Sequence, residues 1–328
     1  MSDKRMPEKK KQVLSLAGLL GVFGILLALA TAFDLQISHM LADGNLVAGS
    51  YYSVNPVCNI VEIAGAWPVW AAAVFAASVL TVYFNEKKGP GRVLKIFFFC
   101  LSVIAAMLLL RDGLKYAFRI YGREELLEGP GTWLASFVFG LAAAALVLKL
   151  TYRRIRQNLD SLLPLALAVM CSCCCYFIIE IVKSPMGRMR FRGMHLLGDY
   201  SAGTRYTPWY QVSAAGKLLE GSGLVRDCFK SFPSGHTFSA GMSYVLIMLP
   251  DVFPRLRTGK GKMLSYAVPL CYTGFVGFFR IAAGAHFFSD VLVGGTLAYV
   301  AVQLFRYVFL YRNRRKAETV RQIESTAS

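Results

Sequence analysis

Histidine is scarce in this chain, with four among 328 residues, and so are acids: 19 Asp and Glu stand against 36 Lys and Arg. No internal repeat or low-complexity tract runs through it, which excludes a solenoid or a fibrous array. No nucleic-acid module accompanies the net charge of +17, so no nucleic-acid partner is expected and the excess needs another explanation. No small-residue cleavage pattern precedes Phe33, so the basic N-terminus and the apolar stretch after it are expected to stay on the protein and not to leave as a signal peptide. Lys and Arg are missing altogether between Asp34 and Trp67, and the long segment from Phe191 to Ser231 holds no glycosylation sequon.

Apolar residues are what the chain has in plenty. They make up 55% of it, with a mean hydropathy of +0.48, and they come in runs of about 18 or more, the length needed to cross a bilayer. The expected fold is all-α, a polytopic membrane helical bundle of about eight transmembrane helices. The candidate spans are 13–33, 66–84, 94–111, 132–150, 162–182, 237–253, 264–283 and 290–311. The lipid bilayer is therefore an expected partner.

Charge sets the orientation, because Lys and Arg in short loops are retained in the cytoplasm. Most of the 36 fall in five stretches: up to Lys11, Lys87 to Lys95, Lys149 to Arg156, Arg255 to Lys262 and Arg306 to Arg321. These alternate along the chain as cytoplasmic loops should, and anionic headgroups account for their charge. The expectation is a multi-pass protein of the plasma (inner) membrane with both termini cytoplasmic. Two long loops, Asp34 to Gly65 and Phe191 to Ser231, are then extracytoplasmic. Cys171, Cys173, Cys174 and Cys175 lie inside a span and read as small apolar side chains. Cys58 and Cys228 both fall in outer loops, where a disulfide between them is left open.

Three short clusters gather on that outer side. Lys183 is followed seven residues on by Arg190; Pro233, Ser234, Gly235 and His236 open the sixth span; Arg280, His286 and Asp290 are spaced six and four apart. One helical turn separates His286 from Asp290, so the carboxylate is placed to accept the imidazole N–H and free the other nitrogen for attack. A helix N-terminus with Ser234 and Gly235 offers amides to an anion, and Gly235 lets the backbone approach it. His236 stands ready as a general acid. Lys183, Arg190 and Arg280 supply three cations for a phosphoryl group, arginine by a bidentate grip and lysine as a compact charge. Taken singly, a basic pair beside a span is an anchor and a histidine at a helix end is packed. Together, in order and on one face, they describe a phosphate-ester site that requires neither metal nor cofactor.

The motifs resemble those of the type 2 phosphatidic acid phosphatase superfamily, whose pattern is Lys-x6-Arg-Pro, then Pro-Ser-Gly-His, then Ser-Arg-x5-His-x3-Asp. Phe191 replaces the proline and Phe279 the serine. The resemblance covers about residues 160–311 and implies a six-helix core in which His286 forms a phosphohistidine supported by Asp290, His236 is the acid, and Lys183, Arg190, Ser234, Gly235 and Arg280 bind phosphate. It implies a membrane lipid phosphatase acting on a phosphomonoester or diphosphate, with undecaprenyl diphosphate among the candidate substrates. The chain then divides into a two-span extension at 1–90, a core at 91–311 and a basic cytoplasmic tail at 312–328. Two alternatives use the same site: transfer of the phosphoryl group to an acceptor hydroxyl, and lipid-phosphate binding or transport without turnover. A haloperoxidase relative, also sharing the anion site, ranks below both. His195, Asp199, Arg205 and Trp209 are candidates for headgroup contact. The aromatic run from Tyr206 to Tyr210 suits the membrane interface.

Overall fold

A computed structural model describes residues 8–87, 91–219 and 224–311. Among these there is no strand, and helices follow one another along the chain. That outcome follows from the solvent: with no water in the hydrocarbon to satisfy backbone groups, a long apolar run closes its own hydrogen bonds as a helix. Seven helical stretches are long and apolar enough to cross a membrane: Leu20–Asn45, Pro56–Glu86, Gly91–Ile120, Pro130–Gln157, Leu159–Leu197, Gly259–Ala282 and Phe288–Tyr311. The chain is a multi-pass membrane protein.

Helix α1, Glu8–Ala42, runs beyond its expected end into the first outer loop. Leu20, Val22, Ile25, Leu29 and Phe33 are exposed on it, facing where lipid would lie. The rest of that loop contains a second helix. Asn55 caps it by accepting from the amide of Val57 at 2.9 Å and Pro56 fills its first position, which starts α2, Pro56–Ala64. After a turn at Gly65 and Ala66, α3 follows as Trp67–Glu86 and becomes the central helix, with Ala73, Ala76, Ala77 and Ser78 buried along it. Small residues let neighbouring helices approach closely. Helices α4, Gly91–Ile120, α5, Pro130–Gln157, and α6, Leu159–Cys174, pack around it.

After α6 the chain breaks at Cys175 and continues as α7, Tyr176–Met186, then turns through Gly187 into the short α8, Phe191–Leu197. Phe191, which stands where the resembling family has proline, is fully buried and packs edge-on against Phe287, with ring centroids 6.4 Å apart. The expected span over 237–253 differs from the others. It begins as α9, Gly235–Gly241, tightens to a 3-10 stretch over Met242–Met248 and ends in one α-turn, Leu249–Val252, where Pro250 offers no amide to prolong a ladder. It therefore does not join the seven long helices. Helix α10, Gly259–Ala282, and α11, Phe288–Arg306, complete the bundle.

The main core joins α3, α6, the α9 segment and α11 through Val79, Val82, Leu165, Val169, Phe238, Met242, Met248 and Val302. All eight cysteines are free thiols, so Cys58 and Cys228 are buried and unpaired. The basic tail expected at 312–328 lies outside the described residues.

Candidate active site

At one end of the bundle the last turns of α7 and α10 meet α8, α2 and the first turns of α9 and α11. Arg280 sits in the last turn of α10 with its side chain wholly buried. The chain then reverses through Gly284, at φ +61, and the amides of Ala285 and His286 both donate to the Arg280 carbonyl, at 3.1 and 3.2 Å. This tight return sets His286 beside the end of the helix that carries Arg280.

The two nitrogens of His286 have distinct surroundings. Nδ1 lies 2.6 Å from the Ser231 carbonyl oxygen, which can only accept, so Nδ1 bears the hydrogen. Nε2 carries the lone pair and accepts from Arg190 Nη1 at 3.3 Å. Asp290 Oδ2 is 3.7 Å from Nδ1, within ion-pair reach but too far for a hydrogen bond. The bond expected from the one-turn spacing thus goes to Ser231. Asp290 instead accepts from Ser231 Oγ at 2.5 Å, the Phe287 amide at 2.8 Å and Arg188 Nη1 at 2.6 Å. Burial, joined by the positive charges of Arg190 and Arg280 and opposed by Asp290, pushes the His286 imidazole down to about 3. The ring is neutral at any physiological pH.

His236 is in the first turn of α9, and its Nε2 lies 2.9 Å from the backbone oxygen of Glu62. By the same argument Nε2 holds a hydrogen, and the Tyr116 ring meets the imidazole edge-on with centroids 4.9 Å apart. Ser234 caps α9, its hydroxyl accepting from the Thr237 amide while its own amide donates to the Asp290 carbonyl at 3.0 Å. Lys183 Nζ stands above Gly235, 2.7 Å from where a Cβ would sit.

Each of the three expected cations has a carboxylate. Lys183 pairs with Glu180 at 2.7 Å, Arg190 with Asp227 at 3.2 Å and Arg280 with Glu62 at 2.9 Å. Two further arginines complete the cluster: Arg188 joins Asp34 and Asp290 at 2.9 and 2.6 Å, and Arg192 joins Glu62 at 2.9 Å. Burial works against the charge of Asp227, yet Arg190 and Arg192 hold its carboxyl well below the usual range. Lys183, Arg188, Arg190, Arg192 and Arg280 therefore face Asp34, Glu62, Glu180, Asp227 and Asp290, five charges against five. Even so, Nε of Arg280 and Nε of Arg192 are buried with no hydrogen-bond partner among the described residues.

Sequence reasoning missed Ser231, Asp34 and Glu62, and it counted Arg188 and Arg192 among the motif cations without giving either a role. Ser231 stands two residues before Pro233 and carries no motif of its own, whereas an acid in an apolar or outer segment, as Asp34 and Glu62 are, is a signal that was there to be used. The headgroup candidates stay outside the cluster. His195 Nδ1 is 3.0 Å from the Tyr200 hydroxyl, Arg205 pairs with Asp199 at 3.0 Å, and Trp209 Nε1 donates to Thr31 Oγ1 at 2.9 Å. Trp209 thereby fastens the outer loop to α1. Among the described residues no three of His, Cys, Asp and Glu are grouped to hold a metal ion.

Comparison with known proteins bears on the same region. Residues 161–314 match the PAP2 superfamily. The chain is 28% identical over 149 residues to a Schizosaccharomyces pombe protein named "Probable diacylglycerol pyrophosphate phosphatase 1", an overlap of 41% of this chain and 50% of that one. The chain thus spans about half the length of this curated relative. No solved structure matches.

Proposed function

We propose that this chain, whose residues 161–314 match the PAP2 superfamily, is an integral membrane phosphatase which removes phosphate from a lipid phosphomonoester or diphosphate through a phosphohistidine. The observation that carries the reading is the state of His286: neutral, its Nδ1–H held by Ser231, its Nε2 lone pair beside Arg190. A buried imidazole so arranged is an activated nucleophile.

In the first step Nε2 attacks phosphorus and the bond to the leaving oxygen breaks. The negative charge on the equatorial oxygens is met by Arg280, Arg190 and Lys183, a task that preorganised cations perform without reorganising solvent. The leaving oxygen takes a proton from His236 in its protonated form. In the second step His236 takes a proton from water, the hydroxide oxygen bonds to phosphorus, the N–P bond breaks and His286 regains its lone pair. Three guanidinium and ammonium groups supply the charge compensation, so the reaction is proposed to run without a metal. The name of the Schizosaccharomyces pombe relative favours a glycerolipid diphosphate or monophosphate as substrate, and undecaprenyl diphosphate presents the same chemistry.

The distribution of Lys and Arg supports cytoplasmic termini and an extracytoplasmic site in the plasma membrane. The test is phosphate release from a panel of these lipids by detergent-purified protein in EDTA, beside His286→Ala. Release that vanishes in the variant is the expected result. A well-folded wild-type protein that releases nothing from any of them would overturn the reading in favour of transfer or binding.

A further inference from the structure

Helix α2 lies outside the family-matched region 161–314, yet it reaches the centre of the site in three ways. The Glu62 carboxylate bridges two guanidinium groups: Oε2 faces Arg280 Nη1 and Arg192 Nη1, each at 2.9 Å, and Oε1 accepts from Arg192 Nη2 at 3.1 Å. Its backbone oxygen accepts from His236 Nε2 at 2.9 Å. Three residues on, Gly65 leaves room for the imidazole, because a Cβ there would lie 2.7 Å from His236 Cδ2. One short helix thus touches both the cation of the last motif and the acid of the middle one. Glu62 itself is buried, and a buried carboxylate persists only where partners compensate it.

We infer that Glu62 is a positioning residue of the reaction: its carboxylate aims Arg280 and its carbonyl fixes His236 with hydrogen on Nε2, so that Nδ1 is the atom that gives the proton to the leaving group. The inference rests on the phosphatase reading for its kinetic consequences. It does not rest on it for the tautomer. A carbonyl oxygen has no hydrogen to give, so the Glu62 contact permits one neutral tautomer only. Protonated His236 then bears its second hydrogen on Nδ1, the nitrogen not engaged by Glu62. Glu62 donates no proton to substrate in this account and makes no contact with it.

The charge of Glu62 has an effect separable from its shape. The groups facing His236 are Glu62 from α2, Tyr116 from α4, Arg280 from α10 and His286 from the turn before α11. Glu62 favours the imidazolium; Arg280 and His286 disfavour it. Removing the Glu62 charge makes His236 lose its proton at lower pH, so the alkaline limb of activity moves down the pH scale.

The experiment compares wild type, Glu62→Gln and Glu62→Asp by kcat, KM and pH profile on the best lipid of the panel, with His286→Ala as the blank. Glu62→Gln should lower kcat by about 10- to 100-fold, as misplacement of a reacting group does, with KM changed by less than about threefold and the alkaline limb shifted to lower pH. Glu62→Asp, which keeps the charge but not the reach, should lower kcat and leave the limb in place. Wild-type kcat and pH profile in both variants, or a gain of activity on removing the carboxylate, would overturn the inference. Should either variant fail to fold, ring 15N spectra of wild-type protein labelled at its four histidines decide it, with His236→Asn assigning the signal: neutral His236 must carry hydrogen on Nε2, and hydrogen on Nδ1 overturns the proposal. Absence of phosphate release by the wild type would end the phosphatase reading and leave this spectral test standing.

Discussion

Individual side chains in this site differ sharply in what their loss should cost. Arg188 is buried between Asp34 and Asp290, so Arg188→Ala strands two carboxylates in the interior. Breaking a buried pair in this way costs about 3–5 kcal/mol, and thermal unfolding in detergent should show a large drop in midpoint. Ser231→Ala removes a single hydroxyl bond to Asp290 but keeps the carbonyl that holds His286. About 1 kcal/mol is at stake there, and activity should fall by less than about tenfold. His286 also predicts a stability profile. Its imidazole is pushed down to about 3 from the ordinary 6.5, so below 6.5 the unfolded chain binds the proton and the folded one does not. Stability contributed by the neutral ring is then lost as pH falls from 6.5 toward 3, and unfolding midpoints measured across that window should decline. The same ring should impose no acid limb on kcat/KM near pH 6.5.

Among the elements, the first turn of α9 is the most constrained. Lys183 occupies the space where Gly235 lacks a side chain, so Gly235→Ala should push the ammonium aside and lower kcat/KM by about tenfold or more, measured as phosphate release. Relations within an element were readable from the chain itself. The spacing of Arg280, His286 and Asp290 places them about one end of α10 and the start of α11, and the structure brings all three together. Relations between elements were not readable. Glu62 and Arg280 meet across a separation of 218 residues, and Asp34 and Ser289 across 255. Periodicity extends over a few turns, so no pattern connects such partners. Asp290 shows the limit within one turn: spacing put it near His286, but the carbonyl of Ser231, delivered by a different loop, is closer. The winding of the span expected over 237–253 was not readable for another reason. Hydropathy registers composition and not winding; a 3-10 stretch rises about 2 Å per residue against about 1.5 Å in an α-helix. The segment from Gly235 to Val252 consequently reaches about 30 Å, close to the hydrocarbon thickness, without being a long α-helix.

For the molecule as a whole, fold class and membrane character followed from apolar run lengths because the bilayer imposes that one solution. The orientation proposed from the basic loops predicts that reporters fused at either terminus respond as cytoplasmic while one inserted near Gly203 responds as external. The equal count of opposite charges in the site has a further consequence for the thermodynamics of ligand capture. With five basic groups already neutralised by five carboxylates, a doubly charged phosphate arrives in a pocket with no surplus positive charge. With His286 neutral, His236 is the group able to offset part of that charge, and it does so by drawing a hydrogen ion from the medium. Capture of inorganic phosphate or vanadate should therefore be proton-coupled: its calorimetric enthalpy will scale with the ionisation enthalpy of the buffer, and its affinity will weaken as the solution is made more alkaline.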